Sequence, residues 1–156
     1  MINSITLLIT LLSYSIIASQ AFMYLLALKN TQLALSGSSY TEVRQLIDAN
    51  MRVTFKYVIY ASLIANLLLV IINIGEAAVL GFTTASIALA ALVTEIILTV
   101  KGNLPLNDII NSWAPGNYPA NWKDVRQQWF RIFQYRQLAT IVGFVSLLTG
   151  AVFAGR

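Results

Sequence analysis

The sequence predicts an all-α chain, an integral membrane four-helix bundle with two structured cytoplasmic loops, and three observations carry that expectation. The first is composition: 58% of the 156 residues are hydrophobic and only 10% are charged, against about 25% charged in soluble domains. A chain this short has too much surface to hide such an apolar excess in a water-soluble core. The second is the presence of four apolar runs, at about 5–28, 54–74, 77–100 and 137–154. Each is close to the roughly 20 residues that carry a helix across a hydrocarbon core. The third is the lack of period-two alternation in those runs. Barrel strands would show it, so helices remain the way to satisfy the backbone in lipid.

The first run has no basic residues before it and is too long for the apolar part of a signal peptide, so it reads as a retained helix. Ser36-Gly37-Ser38 reads as a flexible break, and Ser39 with Glu42 three residues later as a capping box. A helix should start at Tyr40, with Val43, Leu46 and Ile47 on one face, and run on into the second span. A short turn at Gly75 and Glu76 leads to the third span. Pro105, Pro115, Gly116 and Pro119 then argue against one continuous helix through the next connection. Asn121 reads as the N-cap of a fourth helix, about 122–154 with 137–154 spanning, and Asp124 in its first turn suits the helix dipole. Trp113, Tyr118, Trp122 and Trp129 fit an aromatic belt at the headgroups. The chain reads as a single domain, 1–156.

Nine of the ten Lys and Arg residues fall in the two long connections and their flanks. Lys29, Arg44, Arg52 and Lys56 flank the first, and Lys101, Lys123, Arg126, Arg131 and Arg136 the second, leaving Arg156 on the other side. The positive-inside rule makes loops 29–53 and 101–136 cytoplasmic, with both termini outside a cell membrane. The formal charge of +4 is thus charge flanking a membrane, and no nucleic-acid partner is expected. The chain contains neither Cys nor His. Disulfides, thiolate metal sites and the commonest general base are excluded, and no metal or cofactor is expected.

Polar side chains within the spans are costly and mark function or helix contacts. Ser13, Gln20 and Tyr24 recur on the first helix, Ser62, Asn66 and Asn73 share a face of the second, and Glu95 lies on a face of the third with Thr84, Ala88 and Ala91. The fourth carries Arg126, Trp129, Phe133, Arg136 and Thr140 on one stripe. Counting from the nearest cytoplasmic cation, Glu95 lies about 9 Å inside, and Gln20 and Asn66 roughly 13–15 Å. Glu95 and Arg136 are therefore expected to form an ion pair, with Gln20 and Asn66 lining the same polar pocket. The alternative is purely structural: Gln20, Asn66 and Asn73 holding helices together and Arg136 reaching for headgroups. The small face Gly81, Ala85 and Ala88 reads as helix packing, and Glu76 as solvated.

Asn103-Leu104-Pro105-Leu106-Asn107, then Trp122, Arg126 and Trp129, then Arg136 ahead of an apolar helix, resemble the anthrone oxygenase-like family. These are small four-helix membrane proteins, with a polar residue near the start of the second helix, where Asn50 stands here. The resemblance implies oxidation of an anthrone to an anthraquinone by molecular oxygen without metal or flavin. It places Asn103, Asn107, Trp122, Arg126, Trp129 and Arg136 around a cytoplasm-facing pocket. A base and an anion-stabilising cation would suffice for that chemistry, and Glu95 and Arg136 are the candidate catalytic pair. The chain departs from the pattern at Phe133, where the family often has Asn or His.

Two functions follow. Phe133 and the lack of histidine favour a non-catalytic accessory subunit of a larger, electron-transfer type membrane complex, with other subunits or a second copy as partner beside lipid. The alternative is a cofactor-independent oxygenase or binding protein for an anthrone- or quinone-like molecule, held by Gln20, Asn66, Asn103, Asn107, Trp122, Arg126 and Trp129 beside Glu95 and Arg136. The subunit reading expects small and aromatic residues facing lipid; the second expects an enclosed cavity beside Glu95.

Overall fold

In a bilayer the outward side of a helix must be apolar, and the inward side is where small and polar residues can pack. The computed structural model, which describes residues 2–75, 78–114 and 116–154, follows that rule in four long helical rods. The first is α1 (Ile2–Met23), which passes through a π-helical turn at Tyr24–Leu28 into α2 (Lys29–Ala34). The second is α3 (Gly37–Gly75). The third is α4 (Val79–Leu98), a π-helical turn at Thr99–Asn103, then α5 (Leu104–Asn111); the fourth is α6 (Trp122–Phe153). All four are long and apolar enough to cross a membrane. Neighbours in sequence are neighbours in space: α1 packs on α3, α3 on α4, α4 on α6 and α6 back on α1. This is an up-down-up-down bundle.

The expected turn at Glu76, the start of the third span at Ala77, Pro115 and the lone cation Arg156 lie outside the described residues. Elsewhere the ends of the elements differ from the sequence reading in instructive ways. Ser36, not Ser39, opens α3: its hydroxyl accepts from the Ser39 N–H at 3.3 Å, and its carbonyl accepts from Tyr40 N–H at 2.8 Å. Gly37 is therefore no flexible break. It sits in the first turn, and a Cβ there would overlap the Tyr118 ring. Pro105 does not interrupt the third rod. The π turn just before it shifts the hydrogen-bond register, so the proline falls in the first turn of α5, where its missing N–H costs least. Asn121 precedes α6 but makes no side-chain cap; its carbonyl accepts from Asp124 N–H at 3.0 Å. The connection to α6 turns at Gly116, with φ of 82°.

At 39 residues, α3 is about 58 Å long, far beyond a roughly 30 Å hydrocarbon core. One half of the bundle is a membrane half, with Tyr14, Ile17, Leu69, Ala85, Ala88, Leu92 and Leu147 in its core. The other half carries the charges and an aromatic core of Tyr24, Tyr40, Trp113, Trp129, Phe130 and Phe133. The aromatic belt is thereby corrected: Trp113 and Trp129 are buried and Trp122 half-buried, so these rings build the interior of the charged half.

On the face that Val43, Leu46 and Ile47 share, Leu46 is 66% exposed while Val43 and Ile47 are half-buried. The buried side of that stretch is Tyr40, Thr41, Arg44 and Asp48.

Candidate functional site

Where the two halves meet, the inward stripes of all four rods bring polar groups together. Glu95 comes from the last turn of α4, which is otherwise lined by small residues, and Arg136 from the stripe of α6 that holds Trp129, Phe133 and Thr140. Arg136 donates from Nε and Nη2 to Glu95 Oε1 at 3.0 and 2.6 Å, and from Nη1 to Asn103 Oδ1 at 3.0 Å. The Thr99 hydroxyl, one turn beyond, donates to the same Glu95 oxygen at 3.0 Å. Glu95 and Arg136 are 3% and 8% exposed, so the ion pair expected from their depth exists and is buried. All its bonds use one carboxylate oxygen, and Oε2 accepts none from the described residues.

A second network lies nearer the charged end. The Arg44 guanidinium stacks 3.9 Å above the Trp129 ring. It donates to the Tyr24 hydroxyl at 3.1 Å and to Asn107 Oδ1 at 2.9 Å. Asn107 Oδ1 also accepts from the Trp129 indole at 2.7 Å, and Asn107 Nδ2 donates to Asp48 Oδ1 at 2.7 Å. Asp48 is further held by Asn111 at 2.7 Å and Arg52 at 2.6 Å, and Arg52 reaches on to exposed Asp108. Asn103 ties the networks together, donating to the Trp129 carbonyl at 3.0 Å while it accepts from Arg136.

Between these networks lies a cavity of about 340 Å³. Gln20, Arg44, Asp48, Glu95, Asn107, Trp129 and Arg136 line its polar side, and Met51, Phe55, Ile59, Ile96 and Leu104 are among its apolar walls. Arg52, Lys56, Tyr60 and Val100, all exposed, also border it, so it opens between α3 and the α4–α5 rod.

Of the residues singled out from sequence, Gln20, Glu95, Asn107, Trp129 and Arg136 meet at this cavity. Asn103 stands behind Arg136. Asn66 is not at the cavity. It is fully buried in the membrane half, where its carboxamide donates to Ala85 O and accepts from Leu89 N–H, both at 3.1 Å. That is a helix contact. Trp122 and Arg126 are also elsewhere: Arg126 lies against the packed Tyr40 and Trp122 rings and donates to the Gln32 and Leu35 carbonyls, closing the end of α2. Asn50 is exposed and bonds its own helix. Phe133, the departure from the family pattern, stacks on Trp129 with centroids 4.9 Å apart and backs the face opposite Arg44.

Arg44, Asp48 and Thr99 were not expected at the site. The signal for the first two was the spacing Tyr40, Arg44, Asp48, a polar stripe at intervals of four. Among the described residues no group of three or more acidic side chains converges.

No family model, curated protein or solved structure matches the chain. By its own four rods it is a small polytopic membrane protein, with a buried ion pair and a polar cavity at the junction of its two halves.

Proposed function

We propose that this protein binds one flat, weakly acidic aromatic molecule of the anthrone or quinone kind, drawn sideways from the bilayer and held against Glu95. The observation that carries this reading is the cavity of about 340 Å³ beside a carboxylate oxygen that accepts no hydrogen bond. Its size suits a ligand of a few fused rings, and apolar walls with a few convergent polar groups are what such sites use. The opening between α3 and α4, with Lys56 and Tyr60 at its rim, is placed to receive a lipid-soluble molecule near the headgroups. The resemblance of 103–107 and 122–136 to the anthrone oxygenase-like family supports the same ligand class. In this reading the charged half, with 29–53 and 101–136, faces the cytoplasm of a cell membrane.

The chemistry that fits is proton abstraction. Glu95 Oε2 takes a ring-methylene proton, and the resulting electron-rich anion reacts with oxygen directly. Over the whole reaction the methylene loses both hydrogens and gains a carbonyl oxygen, and the second oxygen atom leaves as water. Arg136 is the positioning residue, since it is committed to Glu95 and Asn103.

The accessory-subunit reading calls for small and aromatic residues facing lipid. Gly81, Ala85 and Ala88 are buried, and the outer surface carries aliphatics such as Ile9, Leu12, Ile64 and Val145 together with the exposed aromatics Tyr57, Tyr60 and Tyr135. The cavity beside Glu95, which the ligand reading calls for, is what favours it. Oxygen uptake on adding anthrone to membranes containing the protein tests the chemistry. Glu95→Gln should lower the rate above control membranes by about a hundredfold or more. An unchanged rate rejects Glu95 as the base.

A further inference from the structure

Four cations and two carboxylates border the cavity: Arg44, Arg52, Lys56 and Arg136 against Asp48 and Glu95. Arg136 is neutralised by Glu95, and Arg52 by Asp48 and Asp108. Lys56 is exposed at the rim. Arg44 differs from all three. It is 3% exposed, yet it forms no ion pair among the described residues. Its bonds go to neutral acceptors, a tyrosine hydroxyl and a carboxamide oxygen, and its Nε has no partner. A buried cation with only neutral contacts is costly, so its retention calls for a use.

The placement of Asp48 sharpens the point. Arg44 and Asp48 lie four residues apart on one helix, the spacing at which opposite charges ordinarily meet. Here the Asn107 carboxamide stands between them, accepting from Arg44 and donating to Asp48. Asp48 is in turn occupied by Asn111 and Arg52. The acid that could cancel Arg44 is held for other donors, and the positive charge is left at the cavity wall.

We infer that Arg44 is the anion-recognising group of this cavity, which selects flat aromatic molecules bearing one negative charge over neutral molecules of the same shape. This inference rests on the ligand-binding reading above and assigns to Arg44 the electrostatic role that the sequence had pointed to in Arg136. The stack on Trp129, backed by Phe133, holds the guanidinium plane fixed, so one more charge-assisted contact costs little ordering.

The test uses the full chain in lipid nanodiscs, titrated with anthracene-2-carboxylate and with anthracene-2-carboxamide, after subtracting partition into empty discs. The carboxylate is expected to bind about tenfold tighter or more. In Arg44→Gln that preference should disappear, the two probes then binding within about threefold of each other. Lys56→Gln, at the rim, should keep it. Equal binding of the two probes by the unaltered protein, or a preference that survives in Arg44→Gln, overturns the inference while leaving the ligand reading intact. Binding of neither probe defeats the ligand reading itself. Should Arg44→Gln fail to fold, Lys56→Gln decides, since loss of the preference there assigns recognition to the rim.

Discussion

Glu95 and Arg136 illustrate how much one buried contact weighs in a thin bundle. Each is nearly inaccessible, and three of the bonds around them converge on a single carboxylate oxygen. Removing one partner strands a full charge away from water, whereas removing both leaves only a packing defect. Arg136→Leu should therefore destabilise the protein by about 3–5 kcal/mol, and Glu95→Leu/Arg136→Leu should recover part of that loss. Reversible unfolding in mixed micelles measures both, and additive losses would show that the pair is not coupled. This pair was legible in the sequence because depth below flanking cations is simple arithmetic on a helix, and two opposite charges at one depth have few alternatives. Arg44 was not legible. In 40–48 both the set Val43, Leu46 and Ile47 and the set Tyr40, Arg44 and Asp48 recur at helical spacing. Periodicity alone does not say which of the two faces inward. Asn66 misled through its depth: it faces inward, but against Ala85 and Leu89, which lie about 9–15 Å along α4 from Glu95.

Helix contacts in the membrane half depend on close approach, since lipid gives no hydrophobic drive for helices to associate. Tyr14 of α1 crosses to α4, where its hydroxyl lies 3.3 Å from the Ala88 carbonyl. Gly143 of α6 makes room for it: a Cβ there would overlap the Tyr14 hydroxyl and crowd Ala91. Gly143→Ala is expected to cost about 1–3 kcal/mol by overpacking, and Tyr14→Phe in the same chain should restore part of it by removing the hydroxyl. Thermal unfolding of the two variants checks this, and no rescue would mean that the ring of residue 14 and Ala91, rather than the hydroxyl, set the crowding. At the other end, Gln45 donates to the Ile110 and Trp113 carbonyls at 3.1 and 2.8 Å, closing the exposed end of α5. Gln45→Ala should cost about 1 kcal/mol and raise amide exchange at Ser112 and Trp113 more than elsewhere. Neither contact was readable beforehand, because both join residues distant in the chain. The helical rods themselves were readable, since hydropathy and length decide them; only their ends moved, where the π turn carried the third rod through Pro105.

The whole molecule is longer than the bilayer it crosses, and its excess length lies at one end, with nine of its ten cations in or beside the two long connections. That asymmetry makes orientation the property on which the proposed access route depends. The cavity opens beside Lys56 and Tyr60; with the charged half in the cytoplasm, as proposed, a ligand would arrive from the inner leaflet and any product could leave towards water past Arg52. A bundle inserted the other way would take its ligand from the outer leaflet. Since the chain has no cysteine of its own, single cysteines report sidedness without background. Asn117→Cys, exposed in the connection between α5 and α6, should resist a membrane-impermeant maleimide in intact cells and react after permeabilisation. Ala154→Cys, exposed just beyond α6, should react in intact cells. The reverse pattern would turn the charged half outward, and with it the leaflet from which the cavity is filled. Reaction at both positions in intact cells would mean that the inserted helices do not form the four-pass bundle.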